Sequence, residues 1–171
     1  VREYQEGVSA MDIAKSISEG LARKVLAASV NGVVWDASRP INTDVSLKLL
    51  TWDDTDGKST FWHSSAHLMA EAVESMFPGV KFWVGPALDK GFYYDMDLGD
   101  KKLTEDDLLQ LEKKMNELSK QQNVYVRKEI SKGEAVSYFQ GKGDEYKLDL
   151  LQNLADGEIT FYTQGNFTDL C

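Results

Sequence analysis

From Trp62 onward the apolar residues Trp62, Ala66, Met69, Val73 and Phe77 recur at steps of three and four, and Pro78-Gly79 ends the run. That period belongs to a helix, because side chains on a strand alternate with a period of two. Proline and glycine supply the stop. The only two histidines of the chain, His63 and His67, fall on the edge of this stripe, four residues apart. On a helix such residues point the same way within about 40°, one turn above the other. Both imidazoles therefore share a face and can address one water, one metal or one substrate group.

A chain of 171 residues with 42% hydrophobic content has enough material for one large domain or two small ones. No apolar run reaches the roughly 18 residues of a membrane span, and no charged-then-apolar leader precedes the first expected strand. A cytoplasmic protein without membrane contact is expected. The single cysteine, Cys171, rules out an internal disulfide and suits a reducing compartment. Because the chain opens at Val1 without Met and closes on that cysteine, both ends are expected to be cuts in a longer protein. The net charge of −9 argues against a broad nucleic-acid-binding face, which needs clustered Lys and Arg. Any nucleic acid must then be held locally, as by one strand end entering a pocket.

In the first half, Val1 to Gln5 alternates as a strand, and Ser9 with Asp12 three residues on predicts a capped helix to about Glu19, closed by Gly20. Val25–Val30 and Val33–Asp36 flank Asn31-Gly32, the strongest short hairpin signal, because both turn residues tolerate positive φ. Ser38-Arg39-Pro40 reads as a loop and Val45–Leu50 as a further strand. This unit spans residues 1–52 and contains no His, no Cys and no glycine-rich phosphate loop. Residues 53–60 are polar with Gly57 in their middle and are expected to be a linker. The second domain then covers residues 61–171.

There, Val80–Val84 and Phe92–Asp97 read as strands around a turn region, Gly85–Gly91. Thr104 caps a long helix with acids in its first turn and Leu108, Leu111, Met115 and Leu118 as its stripe. Val124–Ile130 follows as a strand, Lys132–Gln140 as a helix, Gly141-Lys142-Gly143 as a turn and Asp144–Leu151 as a helix. Ile159–Thr163 and Phe167–Cys171 are strands. Helices and strands mixed without regular alternation predict an α+β fold with an antiparallel sheet.

The chemistry of individual residues stays open at this level. His63, His67 and Cys171 are zinc-type ligands, yet position 64 is Ser, so the Glu of a zinc-protease helix is missing. Histidines at a core boundary fit the same spacing. Asp169 and Cys171 alternate on a strand and project to one face, as a site pair or as an edge carboxylate beside a buried thiol. Lys147 in its charged helix reads as solvated surface, and Trp83, Tyr93 and Tyr94 as sheet-packing aromatics.

The series His63-Ser64-Ser65-Ala66-His67-Leu68, Gly85-Pro86, Gly91-Phe92-Tyr93-Tyr94-Asp95, Glu145-Tyr146-Lys147 and Thr168-Asp169-Leu170-Cys171 strongly resembles the editing domain of bacterial threonyl-tRNA synthetases. The preceding 50 or so residues resemble the small β-grasp module, the TGS domain, that opens the same enzymes, here without its first strand residues. Alanyl-type editing domains share the histidine pair, but the TGS-like unit and the Gly-Phe-Tyr-Tyr-Asp run favour the threonyl kind. In the family the cysteine begins a Cys-x-x-x-His motif, whose histidine would fall beyond Cys171, so the site is expected to be incomplete in this chain. Relatives often carry cysteine where this chain has Ser65.

The resemblance implies post-transfer editing: hydrolysis of the ester of mischarged seryl-tRNA(Thr) at the tRNA 3′ end, with no aminoacylation by this chain. Such a second site is needed because one methyl is worth only about 1 to 3 kcal/mol in a binding pocket. It also implies roles. His63 and His67 form one wall and position the water or the terminal adenosine, Lys147 meets the substrate or the developing oxyanion, and Tyr94, Asp169, Cys171 and Gly85 complete the pocket, with Asp169 taking the substrate ammonium. Editing of this type is expected to need no cofactor, zinc at His63, His67 and Cys171 being the disfavoured option. ATP, zinc and homodimer contacts are expected only in domains of the parent enzyme outside this chain. The rival readings are an RNA- or nucleotide-binding module that hydrolyses nothing, and an alanyl-type zinc-dependent domain acting in trans.

Overall fold

The computed structural model describes all residues, Val1–Cys171. They divide into two compact units: residues Val1–Ser64 with Ala87–Gly91, and residues Ser65–Pro86 with Phe92–Cys171.

The first unit begins with β1 (Val8–Ser9) and α1 (Ala10–Ile17). Ser9 caps α1 as the sequence predicts: its hydroxyl accepts the Asp12 N–H at 3.1 Å and the Asp12 carboxylate accepts the Ser9 N–H at 3.1 Å. Residues Val1 to Gln5 are not a strand, since alternation without a pairing partner makes no ladder. Gly20 does not end α1 either. Ser18 breaks the helix in an extended conformation and caps a second short one, α2 (Glu19–Ala22), which contains Gly20. The hairpin forms from β2 (Ala27–Val30) and β3 (Val33–Trp35), with Val30 opposite Val33. Asn31 and Gly32 take φ of +51° and +86°, the twist that a two-residue hairpin loop requires.

Pro40, expected in a loop, starts β4 (Pro40–Ile41), which pairs with β1. With β5 (Leu47–Leu50) the main sheet has the order β3-β2-β5. Ala10, Ala28 and Val30 form one small core, and Ala14, Ala22 and Val25 another. The expected linker at 53–60 is instead the entry to α3 (Thr55–Met76). Gly57 is there for closeness rather than for a turn: a Cβ on it would stand 2.1 Å from the Thr51 carbonyl oxygen. The division between the units falls after Ser64, inside this helix.

The expected strand Phe92–Asp97 is divided. β6 (Lys81–Phe82) pairs with β9 (Met96–Asp97), while β7 (Ala87–Leu88) and β8 (Gly91–Phe92) form a separate two-stranded sheet that joins the expected turn region to Phe92. Trp83 N–H to Asp95 O and Asp95 N–H to Val84 O, both 2.9 Å, extend the β6–β9 ladder toward Tyr94. In α4 (Glu105–Lys120), Thr104 and Asp107 make a capping box; Leu111 and Leu118 are buried but Leu108 is exposed, off the expected stripe.

β10 (Val126–Glu129), α5 (Lys132–Lys142) and α6 (Glu145–Gln152) follow, and the expected three-residue turn shrinks to Gly143, which ends α5 in the left-handed region at φ +67°. β11 (Thr160–Gln164) and β12 (Phe167–Leu170) complete an antiparallel sheet of order β10-β11-β12. One core gathers Ala70, Val73, Phe82, Leu111, Leu118 and Phe167, and a second gathers Ile130, Ala135, Phe139, Leu151, Ile159 and Phe161. The fold is α+β, with antiparallel pairing in each ladder whose register is defined.

Candidate active site

Lys147 is the residue whose environment departs most from its sequence reading. It is 2% exposed, not solvated. The cause is local. Asp144 caps α6 by accepting the Lys147 N–H at 3.2 Å with one carboxylate oxygen, and accepts the Phe82 N–H at 3.3 Å with the other. The first turn of α6 is thereby tied to β6 and Lys147 is turned inward. Sequence reasoning missed Asp144, although an Asp directly before a helical run is itself a cap signal.

Asp169, 1% exposed, meets the lysine from β12. Its Oδ1 lies 2.7 Å from Lys147 Nζ and accepts the Leu170 N–H at 2.8 Å. Its Oδ2 accepts the Tyr94 hydroxyl and lies 3.6 Å from His67 Nδ1. Lys147 Nζ in turn donates to the Tyr94 oxygen at 3.1 Å. Three residues thus converge on the carboxylate that β12 supplies: His67 on α3, Tyr94 before β9 and Lys147 on α6. Burial pushes the Tyr94 hydroxyl far above the ordinary tyrosine range, and the Asp169 charge and hydrogen bond add to it. Tyr94 therefore stays a neutral donor.

Gly85 sets the place of Tyr94. A Cβ there would stand 2.5 to 2.9 Å from three atoms of the Tyr94 ring, so only glycine lets the ring lie flat on the backbone. His67 is buried among aromatic rings, with Phe167 at 6.5 Å and Tyr162 at 6.4 Å between centroids. Neither ring was singled out from the sequence. His63 lies one turn earlier on the same helix, with a ring nitrogen within 4.8 Å of one on His67. The Cys171 sulfur also lies within 4.8 Å of a His67 ring nitrogen. Cys171 is exposed, which sets aside a buried thiol, and its N–H continues the β12 ladder to the Thr160 oxygen at 2.9 Å. Imidazole and thiolate are donors zinc accepts, and three protein ligands with one open position is its catalytic arrangement.

This arrangement can hold a cationic group against Asp169, offer Lys147 to a developing negative oxygen, and keep a neutral hydroxyl between them.

Residues 1–51 match the family model described as the TGS domain. Over its whole length the chain is 64% identical to the threonine–tRNA ligase of Cytophaga hutchinsonii, 56% to that of Parabacteroides distasonis and 52% to that of Bacteroides fragilis. In each case all of this chain aligns with 26% of the relative, so the chain spans about a quarter of the length of the curated relatives it matches.

Proposed function

Starting from a chain that carries a TGS domain and is homologous to the N-terminal part of bacterial threonine–tRNA ligases, we propose that its second unit is the editing site of such an enzyme. The reaction is hydrolysis of the ester that joins serine to the 3′ end of tRNA(Thr). The observation that carries this reading is the convergence of Lys147, Tyr94 and His67 on the buried carboxylate of Asp169.

Water adds to the ester carbonyl carbon, and its proton passes to a base or to solvent. The carbonyl oxygen becomes an oxyanion, and the bond to the ribose oxygen then breaks, with a proton reaching that leaving oxygen. Lys147 supplies a fixed positive charge where the oxyanion develops; in a water-poor site such a group is worth about 10²- to 10³-fold in rate. Asp169 receives the α-ammonium group of the seryl ester, so substrate binding draws on the same carboxylate that holds Lys147. Tyr94 relays between the two, and Gly85 keeps the Tyr94 ring in place. His63 and His67 position the attacking water or the terminal adenosine, and Cys171 lines the same side. Threonine is rejected for want of room for its methyl, since affinity alone separates the two amino acids by only about 1 to 3 kcal/mol. The partner is the acceptor end of tRNA(Thr), met in the cytoplasm, and the parent enzyme dimerises through other domains. Among the helices, none is long and apolar enough to cross a membrane.

The test is to incubate the chain with seryl-tRNA(Thr) and threonyl-tRNA(Thr) and follow release of each amino acid. Serine release above the spontaneous rate, with the threonyl ester spared, is the expected result. Release of both amino acids at equal rates above background removes the editing assignment. The proximity of the His67 nitrogen to His63 and Cys171 favours one second reading, an alanyl-type zinc site. Stoichiometric zinc by elemental analysis, with hydrolysis abolished by chelation, would establish it.

A further inference from the structure

Glu71 is a buried acid to which the proposed reaction gives no part. It is 7% exposed and lies one turn beyond His67 on the same face of α3. Its carboxylate sits over the turn of the β11–β12 hairpin: a Cβ on Gly165 would stand 2.5 Å from Glu71 Oε1 and 2.8 Å from Asn123 Nδ2. Gly165 takes φ +51°, so both its backbone shape and the space above it require glycine. Burial, the largest effect, raises the pKa of Glu71; the Gln164 carboxamide, the Asn166 N–H and the Lys114 charge favour its charged form, and the Glu74 charge opposes it. Gln164 is 2% exposed, with both polar atoms of its carboxamide buried.

The hairpin therefore meets α3 at two levels, one helical turn apart. At the first level Asp169 approaches His67, with Phe167 on the same face of β12 against the histidine ring. At the second, the Gly165-Asn166 turn approaches Glu71. Isolated burial of an acid is costly, and an apolar residue of similar shape would pack at less expense. What a polar contact adds is a fixed register. A slip of one residue in β12 would turn Asp169 to the opposite face of the sheet.

We propose that Glu71 is a positioning residue for the editing site: it grips the Gly165-Asn166 turn and so fixes the height at which Asp169 stands between His67 and Lys147. The catalytic consequence rests on the editing reading; the placement of Asp169 does not.

The experiment compares the chain with its Glu71→Ala, Glu71→Gln and Gly165→Ala variants by amide hydrogen exchange at Asn166, by the ¹⁵N resonance of the Lys147 ammonium, and by kcat and KM for seryl-ester hydrolysis. Glu71→Ala is expected to speed exchange at Asn166 at least 10-fold, to shift or broaden away the Lys147 signal, and to lower kcat at least 10-fold with KM within 2-fold. Glu71→Gln, which keeps an acceptor for the Asn166 N–H, is expected to recover most of each. Gly165→Ala pushes on the same carboxylate from the other side and is expected to reproduce the Lys147 change, which decides the matter if Glu71→Ala does not fold. A folded Glu71→Ala with exchange at Asn166 and the Lys147 signal unchanged overturns the proposal, as does a Glu71→Gln no better than Glu71→Ala. Lys147 changes in a chain that cleaves seryl and threonyl esters equally would leave the positioning role standing and remove the editing assignment.

Discussion

The ammonium of Lys147 and the carboxylate of Asp169 stand 2.7 Å apart in a part of the protein where their side chains are 3% and 2% exposed. Removing either partner strands the other as an uncompensated charge, at a cost of about 3 to 5 kcal/mol. Lys147→Met and Asp169→Leu are each expected to lower the urea midpoint sharply. The double substitution is expected to recover most of that stability, because a buried ion pair is often matched by apolar packing. Ester hydrolysis is expected to be lost in all three. Urea denaturation beside the deacylation assay separates the two effects.

Gly85→Ala tests the seat of Tyr94. The new methyl meets a flat ring rather than the free end of a flexible chain, so the ring must swing away from Asp169. A loss of about 1 to 3 kcal/mol is expected from the overpacking, with hydrolysis reduced further than stability explains. Thermal unfolding and initial rates measure both, and a variant with native rates would detach Tyr94 from the chemistry.

The tyrosines give a pH dependence of definite sign. Burial and the nearby Glu71 charge push the Tyr125 hydroxyl up to about 12, and burial with the Asp169 charge pushes Tyr94 higher still. Both bind their protons more tightly folded than unfolded. Their contribution to stability is therefore whole below the unfolded value near 10 and is lost as pH rises from there, through about 12 for Tyr125. Ultraviolet titration of the native chain is expected to find Tyr94 and Tyr125 still largely un-ionised at pH 11. Unfolding in denaturant should release them to titrate with the rest.

Zinc chemistry and metal-free editing make opposite statements about a chelator. With His63, His67 and Cys171 lining the site only as side chains, prolonged dialysis against a strong chelator is expected to leave hydrolysis unchanged, and added zinc to inhibit it by occupying the donors. Restoration of a lost activity by zinc would reverse the assignment.

Local signals in the sequence were read well where the physics is local. Ser9 with Asp12, Thr104 ahead of its acids, and Asn31-Gly32 each act within four residues, and each stands where its pattern puts it. Val1 to Gln5 failed because a strand exists only through a partner that its own alternation does not name. Gly57 was misread for a related reason: the close approach of Thr51 that demands a glycine has no signature distinct from a turn. The burial of Lys147 could not be read from its charged helix, since it depends on Asp144 reaching Phe82 and on Asp169 arriving from another sheet. The site residues themselves came from the resemblance to a family. Histidine spacing alone favours a core boundary over a site, and Glu71 carries no signal beyond its place one turn after His67.

Tyr94 and Asp169 meet across 75 residues of chain, and Lys147 reaches Tyr94 across 53. Contacts so distant along the polypeptide incur their loop-closure entropy before they return any stabilisation, which makes their formation slow and late. A ribosome-bound chain that has formed its capped helices but has not paired β12 with β11 holds these groups apart. The buried cluster of Lys147, Tyr94 and Asp169 thus assembles in one concerted event, and partly folded molecules lack it.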